Sequence, residues 1–326
     1  MSSFEVAALA NISRSTVSRA LSGDPRISED TRARVHAAAA ELGYQPNLIA
    51  RGLKNQRTGI VGVVVTDLDN PYHAHALQLL IEKLGAQRLS PLVFVGDTAE
   101  GAENAIGRLM SYQVDAVIAL AAPFSAEIVA ACRAGKKPLV LMNRHDVSDD
   151  IGLVYGDSYR AGALVADHLI EQGATSFAYF AGEDRTSISS DRESGFTNRL
   201  VERGFTLTGR AASPYDHATA MAIAPSLLTS GAQAVFCAND TLAFALIDAC
   251  RATGGVCRPM VVGYDNSALA AWPAYDLTSV DQNLELMTSL TVDSVHTLLA
   301  QPRPMIIRHS IEPYLIRRAS TQKTRI

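Results

Sequence analysis

Apolar positions along the chain fall into two regimes that change near residue 59. Before that point they recur at helical spacing. Phe4, Val6, Ala7, Leu9 and Ala10 form a first apolar group. It is opened by Ser2 with Glu5 three residues on, the spacing of a capping box. Asn11 follows, a residue type that tolerates left-handed backbone. Ser13 stands where it can cap a second helix with Val17, Ala20 and Leu21 on its inner face, and Gly23-Asp24-Pro25 breaks that helix. Ser28 caps a third, with Glu29 and Asp30 in the first turn, where the helix dipole favours acids. Val35, Ala38, Ala39 and Leu42 give it a 3.6-residue stripe, and Gly43 ends it. Pro46 and Asn47 start one more short helix, Leu48 to Leu53, and residues 54–58 read as a polar linker.

From Gly59 the pattern becomes strand–helix alternation. The runs IVGVVV (60–65), PLVFV (91–95), AVIAL (116–120), PLVLM (138–142), GLVYG (152–156), FAYFAG (177–182), AVFCAN (234–239) and MVVGYD (260–265) are apolar and rich in β-branched residues. Most are separated by segments of helical period. Continuous apolar strands with helical crossovers imply parallel sheets covered on both faces, here as two doubly wound lobes. Ligands of such sheets bind outside the carboxyl ends of the strands. The residues just past those ends are polar: Asp67, Asn143, Asp157, Asn239, Asp240 and Asp265.

Charge sharpens the division. The chain carries a net charge of −4, which alone argues against nucleic acid. Yet residues 1–58 hold eight Arg/Lys against five Asp/Glu, so a small basic head precedes an acidic body. No run of 18 apolar residues marks a membrane span. The first residues lack a basic segment ahead of an apolar one, so no secretory signal is expected. The four cysteines, Cys132, Cys237, Cys250 and Cys257, lie apart without a C-x-x-C pair, as expected of reduced cysteines in the cytoplasm. The chain shows no G-x-G-x-x-G, no P-loop, no H-E-x-x-H and no G-x-S-x-G, so no enzyme, cofactor or metal site is expected. His73 and His75, two apart, do not face one ligand site on a helix.

Two short helices joined by a tight turn, the second opening Ser-Arg-Ser-Thr, meet the needs of a helix-turn-helix. Arg14 and Ser15 then occupy the first turn that reaches base edges, and Arg19 is placed to bond guanine O6 and N7. Ser13, Thr16 and Ser18 suit phosphate contacts, which position without specifying. Read alone, the segment is also compatible with a merely capped surface helix.

The stretch from VAALANISRSTVSRAL through GYQPN to the first core strand resembles the lactose repressor–galactose repressor family of bacterial transcription factors. The resemblance continues through DLDNPYHAHAL, MNR, ANDTLAFAL, VVGYDN and LTSVDQ, nearly the whole chain. Asn11 stands where the family usually has glycine, and SSF lacks the basic residue often found before the first helix. The resemblance implies a helix-turn-helix domain over 1–46, a hinge helix and linker over 47–58, and an effector-binding and dimerisation core over 59–326. The core's lobes would be about 59–157 plus 283–305 and about 158–282 plus 306–326, similar to periplasmic sugar-binding proteins. It further implies a hinge leucine, Leu53, wedged into a central pyrimidine–purine step, with Asn47 and Ala50 flanking the backbone. Carried over position by position, the effector cleft is Tyr72, His73, Asn143, Arg192, Tyr215, Asn239, Asp265 and Gln282. Asp184, Arg185 and Thr186 lie in a loop that departs from the family's small-polar pattern.

The function implied is a cytoplasmic homodimeric repressor, released from a palindromic operator in double-stranded DNA by a sugar or sugar acid. A regulator that needs a co-repressor is the alternative, and a sugar-binding protein without DNA function is a more distant one. The C-terminus has no leucine heptad of the kind a tetramerising tail needs.

Overall fold

In the computed structural model the described residues are 2–45, 57–96, 98–121, 125–144, 151–182, 186–254, 258–300 and 306–322. The Ser2 backbone N–H donates to the Glu5 carboxylate at 2.6 Å and opens α1 (Ser3–Leu9). Asn11 takes φ +53° and turns the chain into α2 (Arg14–Leu21), capped by Ser13, whose hydroxyl accepts from the Thr16 N–H at 3.1 Å. Ser28 caps α3 (Glu29–Glu41) in the same way. Each helix contributes one fully buried valine, Val6, Val17 and Val35, and Ala20, Ala38 and Ala39 let the helices close on them. Phe4 and Leu9, of the same apolar group, are exposed. A helix of seven residues buries one narrow stripe, and Val6, Ala7 and Ala10 already fill it.

The chain divides into two compact units, residues 1–59 and 60–326. The second unit holds two six-stranded sheets. The first half of its chain runs β1 (Ile60–Val65), α4 (Pro71–Ala86), β2 (Ser90–Val95), α5 (Ala99–Ser111), β3 (Ala116–Leu120), α6 (Ala126–Ala134), β4 (Leu139–Met142) and β5 (Gly152–Gly156). Then come α7 (Ser158–Glu171), β6 (Phe177–Gly182), α8 (Ser187–Glu202), β7 (Leu207–Ser213), α9 (His217–Ile223), α10 (Pro225–Leu228), β8 (Ala234–Cys237), α11 (Asp240–Ala252) and β9 (Met260–Tyr264). The last elements are β10 (Thr278–Asp281), α12 (Leu284–Ala300), β11 (Ile307–Ile311) and β12 (Tyr314–Ile316).

The strand orders are β11-β5-β4-β3-β1-β2 and β12-β10-β9-β8-β6-β7, all parallel except for the β10–β12 pair. β1 shows why the runs are apolar throughout. Val61, Val63 and Val65 pack on one face with Leu80 and Leu84, and Val64 packs on the other with Ile106 and Leu109. Gly62 has no side chain because a Cβ there would meet the Leu109 side chain at 2.7 Å. The second lobe is cored by Phe177, Tyr179, Phe180, Phe196 and Phe236, with Phe196 and Phe236 edge to face at 5.1 Å between ring centres.

Two expectations need correction. Four strands, β7, β10, β11 and β12, carry no long apolar run. β7, β11 and β12 lie at sheet edges. β10 is interior, but its buried Thr278 and Ser279 are satisfied by hydrogen bonds rather than apolar contact. The third crossing between lobes was expected near residue 305. β11 instead pairs with β5 in the first sheet, register Ile307↔Gly152, so the chain crosses after Ile311 and enters the second sheet at Tyr314. Ile307 and Ile311 are buried at its two ends while Arg308 and Ser310 face water, a pattern too polar to read as a core strand. Cys132, Cys237 and Cys250 are buried and form no disulfide. No helix among the described residues is long and apolar enough to cross a membrane.

Candidate functional site

The first site is the outer face of α2. Val17 and Ala20 are its buried side, and Arg14, Ser15, Ser18 and Arg19 are exposed on the other, with Thr16 half-buried. The Ser13 hydroxyl is committed to the cap and lies 2.7 Å from the Ser15 hydroxyl and 2.9 Å from that of Thr16. The arginines of this unit differ in a telling way. Arg26 is bound to Asp24 at 2.7 Å, Arg34 donates to the Ala10 carbonyl at 3.0 Å, and Arg32 donates to that of Asp24 at 3.2 Å. Among the described residues, no ion pair holds Arg14 or Arg19. Among the described residues of this unit, Arg14 and Arg19 on the exposed face of α2 are thus the arginines available to an external anion or base edge. Asn47, Ala50 and Leu53 lie outside the described residues.

The second site is a cleft of about 850 Å³ between the lobes. It is built at strand ends. Ala121, Asn143 and Asp265 each follow a strand directly and each has positive φ, +50°, +58° and +103°. Each still donates its N–H to the neighbouring strand: Ala121 to Met142, Asn143 to Val154 and Asp265 to Val280, at 2.8 to 3.0 Å. The strained backbone then turns the side chain into the opening. The first lobe contributes Thr66, Asp67, Asn70, Tyr72, His73, Asn143 and Arg144, and the second contributes Thr186, Ser189, Arg192, Tyr215, Asn239 and Asp265.

The floor is polar and incompletely bonded. Arg192 is buried, lies with its guanidinium carbon 3.4 Å from the centre of the Tyr264 ring, and donates to the Ala238 carbonyl. The cation–π contact and the carbonyl fix its plane. Its Nε has no partner, nor has Oδ1 of the buried Asn143. Both residues line the same cleft, and both atoms lie buried there without a hydrogen-bond partner. Burial pushes the Asp265 carboxyl up to about 8, against the pull of Arg192 and with a further push from Asp240. Asp240 is itself raised to about 6 by burial, although the Ser279 hydroxyl and the Ser267 N–H donate to it at 2.6 and 2.7 Å. The Tyr72 ring is buried with its hydroxyl toward the Met287 sulfur, and His73 Nδ1 donates to the Asp67 carbonyl at 2.9 Å and lies 3.2 Å from the Thr66 hydroxyl.

Of the eight expected cleft residues, Tyr72, His73, Asn143, Arg192, Tyr215, Asn239 and Asp265 line the cavity. Asn239 also caps α11 through the Leu242 N–H at 2.9 Å. Gln282 is the exception. It is fully buried behind Asp265 and donates to that carboxyl at 2.8 Å, so it backs the wall rather than forming it. Thr186 lines the cleft and caps α8, while Asp184 and Arg185 lie outside the described residues. Sequence reasoning missed Tyr264 and Arg144 as site residues. Arg144 closes the MNR stretch, and Tyr264 directly precedes Asp265 inside an apolar run that disguises it. Among the described residues no cluster of His, Cys, Asp or Glu is arranged to hold a metal.

Comparison with known proteins finds matches for both units of the chain. Residues 4–47 match the family model described as bacterial regulatory proteins, lacI family, and residues 166–321 match the periplasmic binding protein-like domain. The maltose regulon regulatory protein MalI of Escherichia coli is 31% identical over 260 residues, covering 77% of this chain and 76% of that protein. Catabolite control protein A of Staphylococcus xylosus is 29% identical over 287 residues, 86% of this chain and 87% of that one. Among solved structures, a complex of the transcriptional regulator CelR with cellobiose is 26% identical with a TM-score of 0.73, covering 98% of this chain and 99% of that one. The lac repressor dimer bound to operator and the anti-inducer ONPF has a TM-score of 0.88, with 99% of each chain covered. At 21% identity that last likeness is one of fold.

Proposed function

The chain belongs to the lacI family of bacterial regulatory proteins, and from that premise we propose that it is a sugar-responsive repressor. It binds a palindromic operator as a homodimer and leaves it when a sugar or sugar acid occupies the cleft. Its place of work is then the cytoplasm, where the chromosome lies, and it regulates rather than catalyses. Arg14, Ser15 and Arg19 read base edges, and Ser13, Thr16 and Ser18 approach phosphates. Asn47, Ala50 and Leu53 carry the hinge role that the family resemblance implies. Relatives named for sugar operons include the sucrose operon repressor of Pediococcus pentosaceus and the ribose operon repressor of Haemophilus influenzae, 28% and 26% identical.

One observation carries the ligand reading. The buried, unsatisfied Arg192 Nε and Asn143 Oδ1 sit in walls of the same cleft. A polyhydroxylated ligand carries both the acceptor and the donor that these two atoms lack. A carboxylate on the same sugar would add charge complementarity to Arg192. The test is a thermal-shift panel of D-ribose, D-glucose, maltose, sucrose, cellobiose and D-gluconate against the full chain. At least one sugar raises the melting temperature of the wild type, and Arg192→Ala abolishes the rise. A rise that survives Arg192→Ala, or no response to any polyhydroxylated ligand, contradicts the assignment.

A further inference from the structure

Two short cross-links join the turn after β9 to the end of β10. The first is the Gln282–Asp265 bond already described. The second lies one residue away on each side. The Asn266 Nδ2 donates to Asp281 Oδ2 at 2.8 Å. Asn266 Oδ1 accepts from the Arg318 guanidinium at 2.7 Å, so the orientation of its amide is set by a donor-only group on one side and an acceptor-only group on the other. Asp281 is also engaged elsewhere. Its Oδ1 accepts from the Asn283 N–H at 2.6 Å, in the crossing that leads to α12. It pairs in register with Tyr314 and takes a hydrogen bond with that phenol, at the entry of the last crossing.

We infer that Asn266 and Asp281 form a latch tying the turn that carries Asp265 to two of the three lobe crossings. A ligand that pulls on Asp265 then moves the crossings with it, rather than bending the turn alone. Asn266 is left-handed at φ +46° beside Asp265 at +103°, so the turn stores strain and needs an external tie. The latch assigns Asp281, Asn266 and Arg318 a positioning role, since none of the three lines the cleft. Its use as a relay of sugar occupancy rests on the repressor reading above. The tie itself does not, and is testable without ligand.

The chemistry of the pair supplies the test. In Asp281→Asn the side chain cannot accept from both Asn266 and the Asn283 N–H, because one of its two atoms is now a donor. In Asn266→Asp two carboxylates face each other. The exchanged pair, Asn266→Asp with Asp281→Asn, restores the tie: the carboxylate accepts from Arg318 and from the new amide, whose oxygen still accepts from the Asn283 N–H. Hydrogen exchange of the ligand-free full chain is read over residues 260–267, 278–286 and 312–318. Each single variant exchanges about tenfold faster over all three segments, and the exchanged pair returns them to wild-type rates. Acceleration confined to 278–286 reduces Asp281 to a local cap and overturns the proposal. Failure of the exchanged pair to recover overturns it as well. If no sugar binds the wild type while the exchange pattern holds, the effector reading fails and the latch stands.

Discussion

Asp265 is a carboxyl whose chemistry departs far from its type. The folded chain holds its proton up to about pH 8, whereas the unfolded chain releases it in the ordinary carboxylate range. A group whose folded value is raised in this way makes the native state bind more protons than the unfolded one. Stability then falls as pH rises from about 4 to about 8 and levels off above that. Asp265→Asn mimics the protonated form and removes that slope. The variant therefore melts higher than wild type at pH 8, by on the order of 2 kcal/mol, and the gap closes toward pH 5. A difference that is constant with pH assigns the raised value elsewhere. Asp265, Asn143 and Asn239 were legible as site residues because polar side chains past apolar strands have little reason to be there except capping or ligand binding. Tyr264 was not. An aromatic inside a strand reads as core, and only the structure shows its ring under Arg192.

At the scale of elements, the cleft depends on how closely α7 and α8 approach. Gly162 and Gly195 make the approach feasible: a Cβ at Gly195 would collide with the Tyr159 carbonyl, and one at Gly162 with the Arg192 carbonyl. Gly195→Ala forces the helices apart at the turn that carries Arg192. The expected cost is on the order of 2 kcal/mol in denaturant unfolding, together with loss of the sugar-induced thermal shift. A variant with wild-type stability and response would show that the helices can part without moving Arg192. The helices and eight of the strands were legible from period, caps and apolar runs. The rest were hidden for physical reasons. β10 is stabilised by hydroxyl hydrogen bonds, β11 buries only its two ends, and neither writes a periodic signal. The same holds for Phe4 and Leu9, whose apolar type says nothing of which face a seven-residue helix turns inward.

At the scale of the molecule, the proposed function gives the two units different tasks, base reading and ligand binding. If the sugar releases the operator, the operator must weaken the sugar by the same factor, because the two bindings share one thermodynamic cycle. Sugar titrations of the free chain and of its operator complex therefore differ by the ratio measured for operator affinity with and without sugar. Equal sugar affinity in both, beside a sugar-sensitive operator, would break that cycle and expose a second binding mode. The central claim, that residues 2–45 read DNA sequence through α2, is tested most directly by selecting genomic fragments with the full chain and with Arg19→Ala. The selection is run at about 0.15 M salt, where phosphate attraction alone is weakened. The wild type is expected to enrich a palindrome with a central pyrimidine–purine step, and Arg19→Ala to lose about tenfold or more of that enrichment. The same fragments recovered equally by both chains, or none of palindromic form, would contradict it.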